Sequence, residues 1–342
     1  MTWIPLLLAD PSPCLRYLVL RELLGRGGDD PEVKELQEAR EQDPLVAGLL
    51  SSQKPDGSWQ RGDPLWFGES QRITMLALMR LGFLGFGADY PAVRRGAEYL
   101  FSLQREDGAW TTPRLQDGEE LQEGYSMVPL QTALPLRALA MCGFSEDPRA
   151  EQAYRWLLAQ RLPDGAWPTG IAGGGTYGRV AGYRRLAHSR WGCRSNTTGA
   201  LLALAYHPKH NRSEVAERAL DLLLGRETQE GYTLGFEVAR LVGAEPTRGF
   251  LTFYARFDLS VILDLGWRVG ATLDDARLAE QIRFVHSLQG PYGIWAYARP
   301  QASRWVSFDL LRSLSKIDTE GAWISAEPRT PFQPYPRRPE RY

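Results

Sequence analysis

One phrase recurs along the chain and limits what it can fold into. Leu49–Trp59 reads LLSSQKPDGSW, Leu100–Trp110 reads LFSLQREDGAW and Leu157–Trp167 reads LLAQRLPDGAW. A fourth copy, Phe284–Trp295, keeps the Gln and the Gly-x-Trp but carries Tyr292 where the Asp belongs, and a worn copy around Leu222–Tyr232 keeps only Gly231. The marker positions Trp59, Trp110, Trp167, Tyr232 and Trp295 recur at intervals of roughly 50 to 65 residues, the spacing of stacked supersecondary units. Apolar residues at helical spacing run into the Gln, and Asp-Gly then ends the helix because Gly accepts the left-handed conformation. The Trp that follows is large and amphipathic, suited to wedging between neighbouring units. These residues mark architecture rather than chemistry.

Between the markers two kinds of helix alternate. Helices are expected over 14–24, 31–53, 70–81, 90–104, 126–142, 147–161, 196–206, 213–224, 253–267, 274–289 and 305–316, with 234–242 as an insertion in the worn repeat. One helix of each pair is apolar around most of its circumference and the other has a polar face. The first kind is a buried helix and the second faces water. This describes an all-α fold, an α/α toroid with about six inner and five to six outer helices. A single toroid domain is expected over 1–325, followed by a Pro-rich extended tail over 326–342, whose prolines suit neither helix nor central strand.

Composition removes several classes of function. Forty Lys and Arg against forty-one Asp and Glu leave a net charge of −1, which does not favour nucleic acid or an anionic membrane surface. Three widely spaced cysteines, Cys14, Cys142 and Cys193, make no disulfide framework and point to a reducing compartment. The early apolar run has no basic flank and is cut off by Asp10 and Pro11, so no signal peptide is expected. No stretch is long enough to span a bilayer. A cytoplasmic protein is expected; its oligomeric state leaves no mark in the sequence.

The repeats resemble those of the α/α-toroid superfamily that holds the squalene-hopene and other class II terpene cyclases and the protein prenyltransferase β subunits. The similarity runs over roughly residues 10 to 320 and is carried by Gln53…Asp-Gly-Ser-Trp59 and Gln104…Asp-Gly-Ala-Trp110. It implies a central, largely apolar cavity and a small hydrophobic or isoprenoid ligand. In the cyclases an Asp-x-Asp-Asp-Thr-Ala motif heads an inner helix and supplies a buried acid of high pKa. The matching stretch here is Arg194-Ser-Asn196-Thr197-Thr198-Gly199, with Asn196 and Thr197 where the acids belong. An amide is not a usable Brønsted acid. The prenyltransferases bind zinc through an Asp-x-Cys pair and a distant His. Trp191-Gly-Cys193 keeps only the Cys, and Cys193 with His188 falls short of the three or four ligands zinc needs. No metal or other cofactor is therefore expected.

The remaining candidates follow from position. A basic, aromatic stretch with Arg184, Arg190, Trp191 and Arg194 precedes an inner helix, where the helix dipole favours an anionic headgroup. Asn196 and Thr197, with Glu69 and Gln71 at the head of an earlier inner helix, are candidate cavity polar groups. Asp258 and Asp309 are acids on apolar helices and are the candidate proton donors; Asp264 shares that setting, and paired with Arg256 or Arg268 such acids become ordinary salt bridges. Three functions follow: an isoprenoid-binding toroid with divergent cyclase chemistry, a non-catalytic scaffold or binding protein, or a zinc-dependent prenyl transfer enzyme.

Overall fold

The computed structural model describes residues 3–60, 69–110, 129–168, 186–225, 233–245 and 258–317. The expected tail over 326–342 lies outside the described residues, as does Arg184. In chain order the helices are α1 (Trp3–Leu8), α2 (Pro13–Leu18, continued by a π-helical turn over Val19–Leu23), α3 (Pro31–Ala39), α4 (Pro44–Ser52), α5 (Glu69–Phe83), α6 (Pro91–Ser102) and α7 (Pro129–Met141). They continue with α8 (Pro148–Ala159), α9 (Arg194–Leu204), α10 (Glu214–Leu224), α11 (Phe236–Leu241), α12 (Leu259–Val269), α13 (Ala276–Ser287) and α14 (Ser303–Lys316).

Burial sorts them as the patterning predicts. Every residue of α9 is buried, and so is nearly all of α7, including Pro135 inside the helix. In α13, by contrast, only Leu278, Gln281 and Val285 are buried. Among the described residues α2, α5, α7, α9, α12 and α14 form the inner set. The pairs α5–α7, α7–α9 and α12–α14 pack directly, and α14 meets the π-helical turn after α2 to bring the ends of the ring together. The outer helices α3, α6, α8, α10 and α13 each pack on an inner neighbour. The result is the α/α toroid, and one continuous apolar core runs through it from Leu7 to Ile317.

Two helices differ from the expected spans. The helix expected over 31–53 is broken, because Pro44 has no N–H to continue it and Asp43 instead caps a new helix, accepting from Leu45 N at 2.9 Å. The inner helix expected over 253–267 starts only at Leu259, capped by Asp258; residues 253–257 lie outside the described residues.

The recurring phrase folds into the same clip four times. The indole N–H of Trp59, Trp110, Trp167 and Trp295 donates to the carbonyl ten residues earlier, at Leu49, Leu100, Leu157 and Val285, over 2.7 to 2.8 Å. The backbone N–H of each Trp donates to a hydroxyl on the following inner helix: Thr74, Thr132, Thr197 and Ser307, at 2.9 to 3.1 Å. The Gln amide reaches the glycine carbonyl and, in two copies, the next outer helix, as with Gln53 to Gly57 O and Ala92 O. Gly57 has φ +88 and sits against the Arg95 carbonyl, so a Cβ there would be both strained and in collision. Each clip thus joins an outer helix, its turn and the next inner helix with bonds that bury no unsatisfied donor. In the third copy the Gln place is held by Arg161, not Gln160, since Leu162 occupies the position of Lys54 and Arg105 in the turn's closing hydrogen bond.

Candidate functional site

The six-residue helix α11 lies inside the ring. All of its residues are buried, and it packs on α5 and α14. Its start is set by Gly235, whose φ of +83 turns the chain where a Cβ would overlap Val306 of α14. Asp258 holds it there: one carboxylate oxygen accepts from Gly235 N at 2.8 Å and the other from Glu237 N at 2.7 Å. The first oxygen also accepts from Ser260 N and Oγ, so a single side chain caps both α11 and α12. Burial pushes the Asp258 carboxyl up to about 6 against the pull of these four hydrogen bonds. This environment is a helix junction's, and the carboxylate form is the one whose oxygens accept all four bonds.

Around α11 the ring centre is cross-braced by charge. Arg137 on α7 donates to Glu237 at 2.8 Å, and Glu237 also accepts from Arg240 at 3.0 Å. Arg80 on α5 donates to the Arg240 carbonyl at 3.0 Å. On the other side Asp264 accepts from Arg268 at 3.0 Å and from the Trp267 indole at 3.1 Å, and Arg312 stands 3.6 Å away. Arg312 also pairs closely with Asp309 and lies 3.5 Å from Glu22 on the π-helical turn, a charged link across the ring closure. Arg268 lies over the Tyr206 ring at 3.8 Å.

The two central acids part in their acidity. Burial raises both, but for Asp264 the charges of Arg268 and Arg312 outweigh it and hold the carboxyl below its ordinary value. For Asp309 burial dominates; Arg312 opposes it, the negative charges of Asp264 and Asp258 reinforce it, and the carboxyl is pushed up to about 7. Between these groups remains a cavity of about 20 Å³, lined from α5, α7, α9, α11, α12 and α14 and roughly the size of one water. Five of its lining residues, Arg137, Glu237, Asp264, Asp309 and Arg312, are charged. Among the described residues, this cavity is lined mainly by charged and polar groups. The apolar faces of the inner helices are spent on packing with one another, and what reaches the middle is α11 and the ion pairs.

The remaining candidates are spread through the frame. Thr197 is a clip residue, its hydroxyl accepting from Trp167 N, and Asn196 Oδ1 accepts from Leu130 N at 2.8 Å, capping α7. Both bond within the ring at the head of an inner helix, where the third clip docks. Arg194 is fully buried and donates to the Leu223 carbonyl at 3.3 Å, tying α9 to α10. Cys193 is buried as the N-cap residue of α9, with its N–H on the Trp167 carbonyl at 2.8 Å. Arg190, Trp191 and His188 are exposed on a turn pinned to the third clip through Ser189 and Asp164, with Arg190 lying 5.0 Å over the Trp191 ring. Gln71 is buried in the first turn of α5, next to Glu69, whose side chain is outside the described residues. Of the candidate acids, Asp309 and Asp264 line the central cavity.

One cluster is assembled only by the fold. His207 and His210 follow α9 and meet Glu151 of α8, with one ligating atom of each within 4.8 Å of the others. His207 Nδ1 accepts from Lys209 N at 3.0 Å, which places the ring proton on Nε2, facing Glu151 Oε1 at 3.2 Å. A metal on Nε2 would require a proton on Nδ1, against the Lys209 N–H. As folded, the trio is a hydrogen-bonded pair with a second ring tilted against it, 4.3 Å between centroids. Neither Cys193 nor His188 joins a group of metal-ligating side chains among the described residues.

With the ring and its centre described, comparison with known proteins places them. The family model for the squalene-hopene cyclase C-terminal domain matches residues 22–188. Over that stretch the chain is similar to the squalene-hopene and related class II terpene cyclases. This cyclase-like chain is 29% identical over 147 residues to a lanosterol synthase of Aspergillus fumigatus, covering 42% of this chain and 19% of that protein. It is 30% identical over 127 residues to a squalene–hopene cyclase of Bradyrhizobium diazoefficiens, covering 36% and 18%. The chain thus spans about a fifth of the length of the curated relatives it matches. Among solved structures, the type II terpene cyclase MstE from Scytonema aligns over 80% of this chain and 95% of its own, at 18% identity and a TM-score of 0.30. No helix among the described residues of the cyclase-like chain is long and apolar enough to cross a membrane.

Proposed function

We propose that this toroid is a non-catalytic binding or scaffold protein, a cyclase-like ring whose centre, as the described residues line it, is filled by α11 and ion pairs and whose cyclase motif position holds no acid. The observation that carries this reading is α11: it occupies the ring centre and leaves about 20 Å³, where ligand sites need roughly 300 to 1,000 Å³. The acids support it. Asp258 is a double helix cap, Glu237 and Asp264 are ion-pair partners, and the cyclase motif position holds Asn196 and Thr197. Incubating the protein with squalene and with geranylgeranyl diphosphate, then extracting and analysing the lipids, is expected to return the substrates unchanged; a cyclised product would overturn the reading.

A divergent cyclase acting on an isoprenoid is the second reading, and one observation favours it. Asp309, pushed up to about 7, sits in the same cavity as Asp264, held below its ordinary value, and two carboxyls driven apart in acidity are how acid and base roles are assigned. On this reading Asp309 donates the proton. Turnover would then fall as pH rises through about 7, and Asp309→Asn would abolish it while leaving the fold intact. Turnover that survives in Asp309→Asn would remove that role.

A further inference from the structure

We propose that α11 is an internal stand-in for a ligand, and that the ring binds an apolar chain ending in a carboxylate, which displaces α11 and takes the place of Glu237 on Arg137. This rests on the reading of the toroid as a binding protein and gives it a ligand class.

The chemistry of the site is written in its occupant. α11 offers the ring two things: an apolar surface from Phe236, Val238 and Leu241, and one carboxylate, Glu237, on Arg137 at 2.8 Å. The arginine belongs to the ring, on α7, whereas the carboxylate belongs to the insert. Arg240, the second partner of Glu237, lies on α11 itself and leaves with it. If α11 moves out, Arg137 loses its ion-pair carboxylate and keeps only the longer-range charge of Asp264, a costly state unless an anion replaces Glu237. Arg137 also has a buried Nε without a hydrogen-bond partner, so this guanidinium has donor capacity that Glu237 does not use.

The space is of the right order. A helix of six residues is about 9 Å long and, with side chains, about 10 to 12 Å across. The volume it vacates is on the order of 700 Å³, inside the range of about 300 to 1,000 Å³ found for ligand sites. The polar bonds that hold α11 to the ring include the two N–H bonds to Asp258, the Arg137 pair and the Arg80 bond to Arg240 O. Val238 and Leu241 of α11 line the central cavity together with Phe83, Leu202 and Val261, apolar groups of the ring that an alkyl or prenyl chain could pack on.

The test uses the full chain with cis-parinaric acid, a fluorescent long-chain carboxylate, and its methyl ester. Saturable binding of the acid is expected, with the ester weaker by about tenfold or more. Hydrogen exchange with bound acid should show the amides of Val238 to Leu241 losing protection while the clip amides of Trp59, Trp110 and Trp167 keep theirs. Arg137→Met should weaken the acid by about tenfold or more and leave the ester unchanged, with Arg137→Lys recovering part of the loss. The proposal is overturned by an absence of saturable binding, by an ester that binds as tightly as the acid, or by exchange at α11 that does not change on binding. Should Arg137→Met fail to fold, the wild-type exchange and the acid–ester comparison decide the matter by themselves. A cyclised product in the squalene or geranylgeranyl diphosphate assay would sink the non-catalytic reading and leave displacement standing; unchanged α11 exchange would do the reverse.

Discussion

The clips on the outside of the ring and the ion pairs at its centre are both networks of buried polar groups, yet they are built on opposite plans. A clip is local: its indole, its turn and its Gln lie within eleven residues, and it reaches out to one hydroxyl on the next inner helix and, in two copies, to a carbonyl of the next outer helix. Its two Trp bonds recur in four places, so it encodes a unit of construction. The centre is assembled from five inner helices and an insert, every pair in it occurs once, and its groups disagree in acidity. Repetition marks what holds the ring together; the singular, charge-laden centre marks where this chain departs from a plain ring.

The largest effect expected is at the clip Trp. Trp110→Ala removes a fully buried indole and its bond to Leu100 O, and should cost about 3 to 5 kcal/mol. If the clips are equivalent units, the same change at Trp59, Trp167 and Trp295 should cost the same within about 1 kcal/mol. Urea denaturation of the four variants measures this. A Trp295 variant that loses far less would break the equivalence and locate the weakness in the copy where Tyr292 replaces the Asp.

The centre should behave differently. Asp264→Asn leaves Arg268 and Arg312 with an uncharged partner in a buried setting, at a cost of about 3 kcal/mol. Because Arg312 is shared between Asp264 and Asp309, Asp264→Asn and Arg312→Met should not add; a coupling of about 1 kcal/mol or more is expected from the double-mutant cycle. Strict additivity would mean that the central pairs are independent, and the contrast with the clips would lose its basis.

That contrast also explains what could be read from the chain. The clip places all its information in a short window, so the ring, its inner and outer helices and its period were legible from Gln53…Trp59 and its copies. The centre was not, because its members are far apart in sequence and each looks ordinary where it stands. Asp309 with Arg312, Asp264 with Arg268 and Glu237 with Arg240 are spaced three or four residues apart, the spacing of solvent-exposed helix pairs. Glu237 and Arg240 in particular disguise α11 as a surface insertion, when its polar groups are in fact paired inside the ring. Asn196 and Thr197 show the same limit, since the Leu130 and Trp167 N–H groups they bond lie far away in sequence.

Thr197 offers a smaller and sharper comparison. Its hydroxyl does for Trp167 what Thr132 does for Trp110, over 3.0 and 3.1 Å. Thr197→Val and Thr132→Val should each leave one buried N–H unsatisfied and cost about 1 to 2 kcal/mol, with no difference between them beyond a few tenths. A Thr197 variant that keeps full stability but loses binding of a carboxylate ligand would return this residue to the functional side of the division.

The smallest effect expected lies at the histidine cluster, which sits on the frame yet is singular like the centre. His210 is held below the ordinary imidazole value of 6.5, first by burial and then by the proximity of His207, with Glu151 opposing and Lys209 adding slightly. Tyr154 covers the pair from α8 without bringing charge. A histidine whose folded pKa is depressed takes up its proton more readily in the unfolded chain. Its contribution to stability is whole above about 6.5 and shrinks as pH falls through and below that value. The Tm of the wild type should therefore drop between about pH 7.5 and 5 by more than that of His210→Asn, which has no proton to gain. Glu151→Gln should steepen the fall, since it removes the carboxylate that favours the protonated ring. Thermal scans of the three proteins in matched buffers decide it: parallel curves would mean that the cluster is electrostatically silent, and that the ring's response to pH comes from the buried acids at its centre.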